Sequence, residues 1–168
     1  MSATIDAGAG DDIVKVGDRG SDARGGEGSD TLIGGKLDDW LLGEEGNDKL
    51  YAGEVTNGEV SLLTALSANG GNGNYLDGGA GNDLLYGSTG SDWLAGGDGV
   101  DELFGGAGGD ILNAGTANDI VIRGGGGSDQ YIFNRGDGQD VSFDSADLNA
   151  TPGVSGDSLG QAVRYPNA

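Results

Sequence analysis

The sequence predicts an all-β solenoid, in which very short strands form two parallel sheets packed through their leucines and joined by glycine-rich turns. Three observations carry that prediction. Residues 78–86, GGAGNDLLY, are followed by GSTGSDWLA, GGDGVDELF and GGAGGDILN, so glycines, an aspartate and an apolar triplet recur every nine residues. Glycine supplies 38 of the 168 residues, against 6% aromatic, although it loses the most backbone freedom on folding. The apolar triplet is too short for a helix and suits a minimal strand, one side chain inward and its neighbours outward.

The repeat organises the chain. Asp83, Asp92, Asp101, Asp110 and Asp119 each lie nine residues after the last, and the same step backwards reaches Asn74. Forwards, one extra residue, assigned to Arg123, leads to Asp129 in GGGGSDQYI. Leu76, Leu85, Leu94, Leu103, Leu112, Val121 and Tyr131 keep step as the core column. Upstream, AGAGDDIVK, GGEGSDTLI, GGKLDDWLL and GEEGNDKLY carry Asp12, Asp30, Asp39 and Asp48. VGDRGSDAR between them is degenerate, with Asp22 one place late. Residues 52–68 break the pattern and are expected to bulge out, with one helical turn around Leu62, Leu63 and Leu66; by count they set the two blocks out of phase. The chain thus divides into a first block (1–51), an inserted loop (52–68), a second block (69–133) and a C-terminal cap and tail (134–168).

Composition excludes several functions. Acidic residues outnumber basic ones 28 to 8, a net charge of −20, which argues against nucleic acid or an anionic membrane surface and for cations. With neither cysteine nor histidine, disulfides, thiolate sites and the usual zinc ligand and general base are ruled out. MSATIDAGAGDD does not read as a secretory signal peptide, and no apolar run approaches the ~20 residues that span a bilayer. No Ser, Thr or Lys stands in a motif for an activated nucleophile, so no enzyme is expected.

The spacing points to metal chemistry. Two nonapeptides make one coil, so aspartates eighteen residues apart, such as Asp83 and Asp101, stack and repel. Glycine turns also leave carbonyls pointing at a common point without donors, which is costly when buried. A hard dication answers both problems: Ca²⁺ takes six to eight carboxylate and carbonyl oxygens, whereas Mg²⁺ demands near-ideal octahedra.

These nonapeptides resemble the RTX (repeats-in-toxin) repeat, GGxGxDxUx, over roughly residues 7–133. The resemblance implies a right-handed parallel β-roll with Ca²⁺ between stacked turns. It implies that carbonyls at turn positions 2 and 4 and the Asp at 6 face carbonyls 1 and 3 and the Asp of the turn eighteen residues on. Carried over, Gly79, Gly81 and Asp83 face Gly96, Asp98 and Asp101; Gly97, Gly99 and Asp101 face Ala114, Thr116 and Asp119. Ser88, Gly90 and Asp92 face Gly105, Ala107 and Asp110; Gly8, Gly10 and Asp12 face Gly25, Glu27 and Asp30; Gly26, Gly28 and Asp30 face Gly43, Glu45 and Asp48. The resemblance adds Asp39, Gly106, Gly108 and Asp129 to the ligand set. Asn74, Leu37, Ala117 and Arg123 depart from the pattern and should weaken or abolish their sites.

The expectation is a monomeric Ca²⁺-binding module holding roughly seven to ten ions by the stacked-turn coordination logic. It should be disordered without calcium and fold after export. The resemblance implies type I secretion and an extracellular location. A competing reading makes outward rows, Tyr75–Trp93–Ile111 and Tyr86–Phe104–Ile122, a polysaccharide or surface platform rather than lateral strand packing. At the C-terminal end Phe133, Val141, Phe143 and Leu148 are expected to cap the core, with Asp137 and Asp140 closing the last cage.

Overall fold

The computed structural model describes residues 3–53, 73–119, 121–134, 137–138, 140 and 142–143. Fourteen strands, β1 to β14 in chain order, alternate between two seven-stranded sheets. The odd strands, Ala3–Ala9, Ser21–Glu27, Trp40–Glu45, Tyr75–Ala80, Trp93–Asp98, Ile111–Thr116 and Gln130–Ile132, form sheet one. The even strands, Ile13–Lys15, Thr31–Ile33, Lys49–Tyr51, Leu84–Ser88, Glu102–Gly108, Val121–Gly127 and Ser142–Phe143, form sheet two. Every pairing is parallel, and each strand's neighbour in its sheet is the strand two places on in the chain. The molecule is an all-β parallel β-roll.

One large inward side chain from most strands builds the core, with small ones such as Ala114 beside it. Ala23, Leu41, Leu76, Leu94 and Leu112 stack in sheet one against Val14, Leu32, Leu50, Leu85, Leu103 and Ile122 in sheet two. Leu32, Leu41, Leu50, Leu76, Leu85, Leu94 and Leu103 are fully buried, each worth about 1.5–3 kcal/mol of apolar burial. The core is one side chain deep from each sheet, so the turns at its two edges decide whether the coils can close.

Two register expectations are corrected. Ile122, not Val121, lies opposite Leu103 in the core column, and Arg123 lies opposite Phe104. The extra residue falls immediately after Asp119, because Asp101 still bonds Asp119 while Glu102 pairs with Val121. Ile122 therefore leaves the outward row. The insertion, for its part, does not interrupt the sheets: Trp40 pairs with Tyr75 and Lys49 with Leu84, so one coil is 35 residues long and the next resumes in register. The helical turn expected within 52–68 lies outside the described residues, as do Val141 and Leu148. At the C-terminal end β14 pairs beside Ile122, and Tyr131 and Phe133 pack on the core.

Candidate metal centre

The chain leaves sheet one through turns 7–12, 25–30, 43–48, 78–83, 96–101 and 114–119, which stack along what we term the outgoing edge. It returns through 16–21, 34–39, 87–92, 105–110 and 124–129 along the return edge. Both edges carry a ladder of hydrogen bonds through the last turn residue. On the outgoing edge the Asp12 N–H donates to Asp30 Oδ1, Asp30 to Asp48 and Asp48 to Asp83, each at 2.7 Å. Asp83 then donates to Asp101 and Asp101 to Asp119, both at 2.8 Å, and Asp119 to Asp140 at 3.1 Å. On the return edge the order is Ser21, Asp39, Asn74, Asp92, Asp110, Asp129, at 2.7–2.9 Å. One side-chain oxygen of each rung is thus consumed by the preceding coil.

The second oxygen is the chemically informative one. Oδ2 of Asp30, Asp48, Asp83, Asp101, Asp110 and Asp119 is buried with no hydrogen-bond partner. Leaving a charged acceptor buried and unpaired costs several kcal/mol unless something compensates it. The protonation equilibria register the same cost. Burial pushes Asp83, Asp110 and Asp119 up to about 7 and Asp101 up to about 6; their backbone N–H donors oppose the shift and nearby aspartates add to it. Burial likewise raises Asp39, Asp48, Asp92 and Asp140.

The backbone closes in on those oxygens. A Cβ on Gly78 would overlap Asp83 Oδ2 and stand 2.7 Å from the Gly96 carbonyl; one on Gly96 would overlap both Asp101 Oδ2 and the Ala114 carbonyl. Gly43 stands in the same relation to Asp48 and Gly78, and Gly105 to Asp110 and Gly124. Cβ atoms on Gly26, Gly97, Gly99 and Gly106 would likewise overlap carbonyls of Gly8, Gly79, Gly81 and Ser88 in the coil before. Each of these rungs is therefore a small all-oxygen cradle with anionic character. Among the described residues no three acidic side chains form one cluster; the carbonyls supply the rest. Such a donor set fits a hard dication of flexible coordination.

The structure brings together the turns that the resemblance paired: Gly26 and Gly28 lie against Gly8 and Gly10, Gly97 and Gly99 against Gly79 and Gly81, Gly106 and Gly108 against Ser88 and Gly90. It also joins turns that counting by eighteen left apart. Gly79 and Gly81 lie on the carbonyls of Glu44 and Gly46, which makes Asp48 and Asp83 one rung across the 35-residue coil. Asp140 takes the rung after Asp119, with Gly138 over the Ala117 carbonyl, whereas Asp137 accepts the Asn134 N–H instead. A second, exposed ladder was missed: Ser29 donates to Asp11, Asn82 to Asn47 and Val100 to Asn82. Its signal was the small polar residue preceding most of these turn aspartates. Asp22, the late aspartate, is exposed and stands outside the ladder, where Ser21 takes its place.

Parallel coils whose turns hold carboxylate and carbonyl oxygens toward one another define a cation-binding β-solenoid. A profile of the RTX calcium-binding nonapeptide repeat matches residues 24–57, 69–103, 86–121 and 104–140, in four copies. The matches span more than half of the chain, which belongs to that family. No curated protein and no solved structure matches it significantly.

Proposed function

We propose that the chain is a calcium-switched folding module of an exported protein, with no catalysis of its own. The observation that carries this reading is the set of buried Oδ2 atoms without partners at Asp30, Asp48, Asp83, Asp101, Asp110 and Asp119. Bound Ca²⁺ would supply positive charge and oxygen coordination to Asp30, Asp48, Asp83, Asp101, Asp110, Asp119 and Asp129 and to the carbonyls beside them. Without a cation the chain's net charge of −20 opposes the stacking of its own aspartates, and the glycine-rich backbone gains most by staying unfolded. Extracellular calcium modules have dissociation constants of about 10⁻⁴–10⁻³ M, so folding would follow export from a calcium-poor cell. Among the described residues no helix is long and apolar enough to cross a membrane.

Circular dichroism in chelator and then in rising Ca²⁺ tests the switch. The expected result is a cooperative gain of β signal near millimolar Ca²⁺ and a much weaker response to Mg²⁺. A full β signal in chelator would overturn it.

A second reading rests on one outward row. Trp40, Tyr75 and Trp93 line up on sheet one, with ring centroids 5.3 and 6.3 Å apart, and Trp40 and Trp93 are 58% and 42% exposed. Exposed aligned aromatics suit sugar rings or an apolar surface. Polysaccharide pull-down by the calcium-loaded chain, lost in Trp93→Ala at unchanged calcium affinity, would support it. The row on sheet two, Tyr51–Tyr86–Phe104, is stacked at 5.2 and 4.9 Å, and Tyr51 and Phe104 are buried, as lateral packing requires.

A further inference from the structure

The turns come in two kinds, distinguished at their second residue. Gly8, Gly26, Glu44, Gly79, Gly97 and Gly115 on the outgoing edge, and Gly106 and Gly125 on the return edge, have φ between 80 and 113°. Gly17, Gly35 and Ser88, all on the return edge, do not adopt positive φ. The consequence falls on the aspartate that ends the turn. The Gly35 N–H donates to Asp39 Oδ2 at 2.7 Å, and the Ser88 N–H to Asp92 Oδ2 at 2.6 Å. These are the counterparts of the atoms left without partners in the positive-φ turns.

Around Asp92 the closure is complete. The Ser88 hydroxyl also donates to Asp92 Oδ2 at 2.9 Å, and both the N–H and Nδ2 of Asn74 donate to Asp92 Oδ1 at 2.8 Å. Asn74 Oδ1 accepts the Asp39 N–H at 2.9 Å, and Asp39 Oδ1 accepts the Ser21 N–H at 2.7 Å. Both oxygens of Asp39 and of Asp92 are therefore satisfied by N–H and O–H donors. Asn74 further presents an amide donor where an aspartate would present an anionic oxygen. A cation here would have to displace charge-assisted hydrogen bonds and meet amide protons.

We infer that the rungs at Asp39, Asn74 and Asp92 are closed by their own hydrogen bonds and take no calcium, so that the return edge holds cations only from Asp110 onward. This rests on the calcium-binding reading of the open rungs. It removes Asp39, Ser88, Gly90 and Asp92 from the expected ligand set. The open rungs are then Asp12/Asp30, Asp30/Asp48, Asp48/Asp83, Asp83/Asp101, Asp101/Asp119, Asp119/Asp140 and Asp110/Asp129, about seven ions by the coordination logic of stacked turns.

Anomalous scattering from crystals of the calcium-loaded chain, with isothermal titration of the same protein, tests the assignment. Ions on the outgoing edge and none on Asp39 or Asp92 are expected; an ion coordinated by Asp92 would overturn the inference. Binding of no calcium at all would instead overturn the calcium reading. Asp83→Asn should lose at least one bound ion, whereas Asp92→Asn should keep the native number. Asn74→Asp combined with Ser88→Gly removes the amide and hydroxyl donors but keeps the residue-88 N–H on Asp92, as Gly35 keeps its N–H on Asp39, and should also keep the native number. If that folded double variant gains an ion, closure by the backbone N–H fails. Should the variants not fold, the ion positions in the native chain decide.

Discussion

The outgoing edge repeats one turn from Gly8 to Asp119, while the return edge changes its turn between Ser88 and Gly106. Both edges share the same strands, core and backbone ladder, so the coil itself does not require the open turn. What differs is whether position 2 takes positive φ or turns its N–H onto its own aspartate. Two tasks that look fused in the nonapeptide are therefore separable: the apolar triplet builds the coil, and the glycine–aspartate turn builds the cradle. The insertion sits on the return edge, between β6 and β7, directly after the closed turn 34–39. An edge stitched by its own donors can lengthen one connection without leaving a half-built cation site.

Glycine substitution should separate the edges most sharply. Gly81 has φ of 137°, and a Cβ there would overlap the Gly46 carbonyl, a backbone atom with no room to retreat. Gly81→Ala should cost about 3 kcal/mol or more, from strain and a forced shift of the coil. Gly17 on the return edge lacks positive φ, and a Cβ there would meet nothing within 4 Å, so Gly17→Ala should change stability by about 1 kcal/mol or less. Calcium midpoints by circular dichroism read both; equal losses would erase the distinction.

Carboxylates come next. Asp101 accepts the Asp83 N–H, donates to Asp119 and keeps Oδ2 unpaired, serving two rungs. Asp101→Ala should raise the calcium midpoint by roughly tenfold or more, about 1.4 kcal/mol per decade. Exposed Asp22 should shift it less than about twofold on replacement by alanine, as surface charges do. A midpoint for Asp101→Ala within error of Asp22→Ala would remove Asp101 from the ligand set.

Acid should act on the open rungs through the same groups. Without a cation, Asp83, Asp110 and Asp119 hold their protons to about 7 in the roll, from an ordinary 3.8. Between those limits the roll binds more protons than the unfolded chain. Its metal-free stability is therefore full below about 3.8 and falls as pH rises through 7. Cation binding requires the carboxylates ionised, so the calcium midpoint should climb as pH drops from 7.5 to 5.5, while chelated chain gains β signal on acidification. A midpoint flat across that interval would show that the buried carboxylates are not the groups cations compete for.

The core and the β-roll were legible in the sequence because leucine against aspartate at a step of nine leaves one arrangement that buries the leucine two places after each turn aspartate. The pairing of Asp83 with Asp101 and of Asp101 with Asp119 was legible for the same reason. The rung joining Asp48 to Asp83 was not, since counting by nine fails across a looped-out insertion while strand pairing tolerates it. Asp140 was half visible, named for the last cage but without its rung partner, because its coil is 21 residues long. The closed turns were only partly visible. Ser88 and Leu37 depart from glycine and their turns are closed, yet Glu44 and Ala117 also depart and keep positive φ at 80° and 88°. Turn composition alone does not say which backbone wins where the neighbouring coils fix the strand ends.

That ambiguity yields the smallest and most discriminating contrast. Ala117 stands at turn position 4 on the outgoing edge with φ of 88°, where Gly10, Gly28, Gly46, Gly81 and Gly99 adopt 116–137°. Its side chain is exposed, so Ala117→Gly loses no packing. It relieves a strained conformation worth about 1–3 kcal/mol, against about 0.5–1 kcal/mol of added backbone entropy. A net stabilisation of about 1 kcal/mol should lower the calcium midpoint a fewfold. Leu37 holds the same position in closed turn 34–39, is 52% exposed and lacks positive φ. Leu37→Gly therefore relieves nothing and should destabilise by about 0.5–1 kcal/mol. One glycine at equivalent positions on opposite edges should thus act with opposite sign, read as midpoints under identical conditions. Two shifts of the same sign would show that the turns differ less than their backbone angles say.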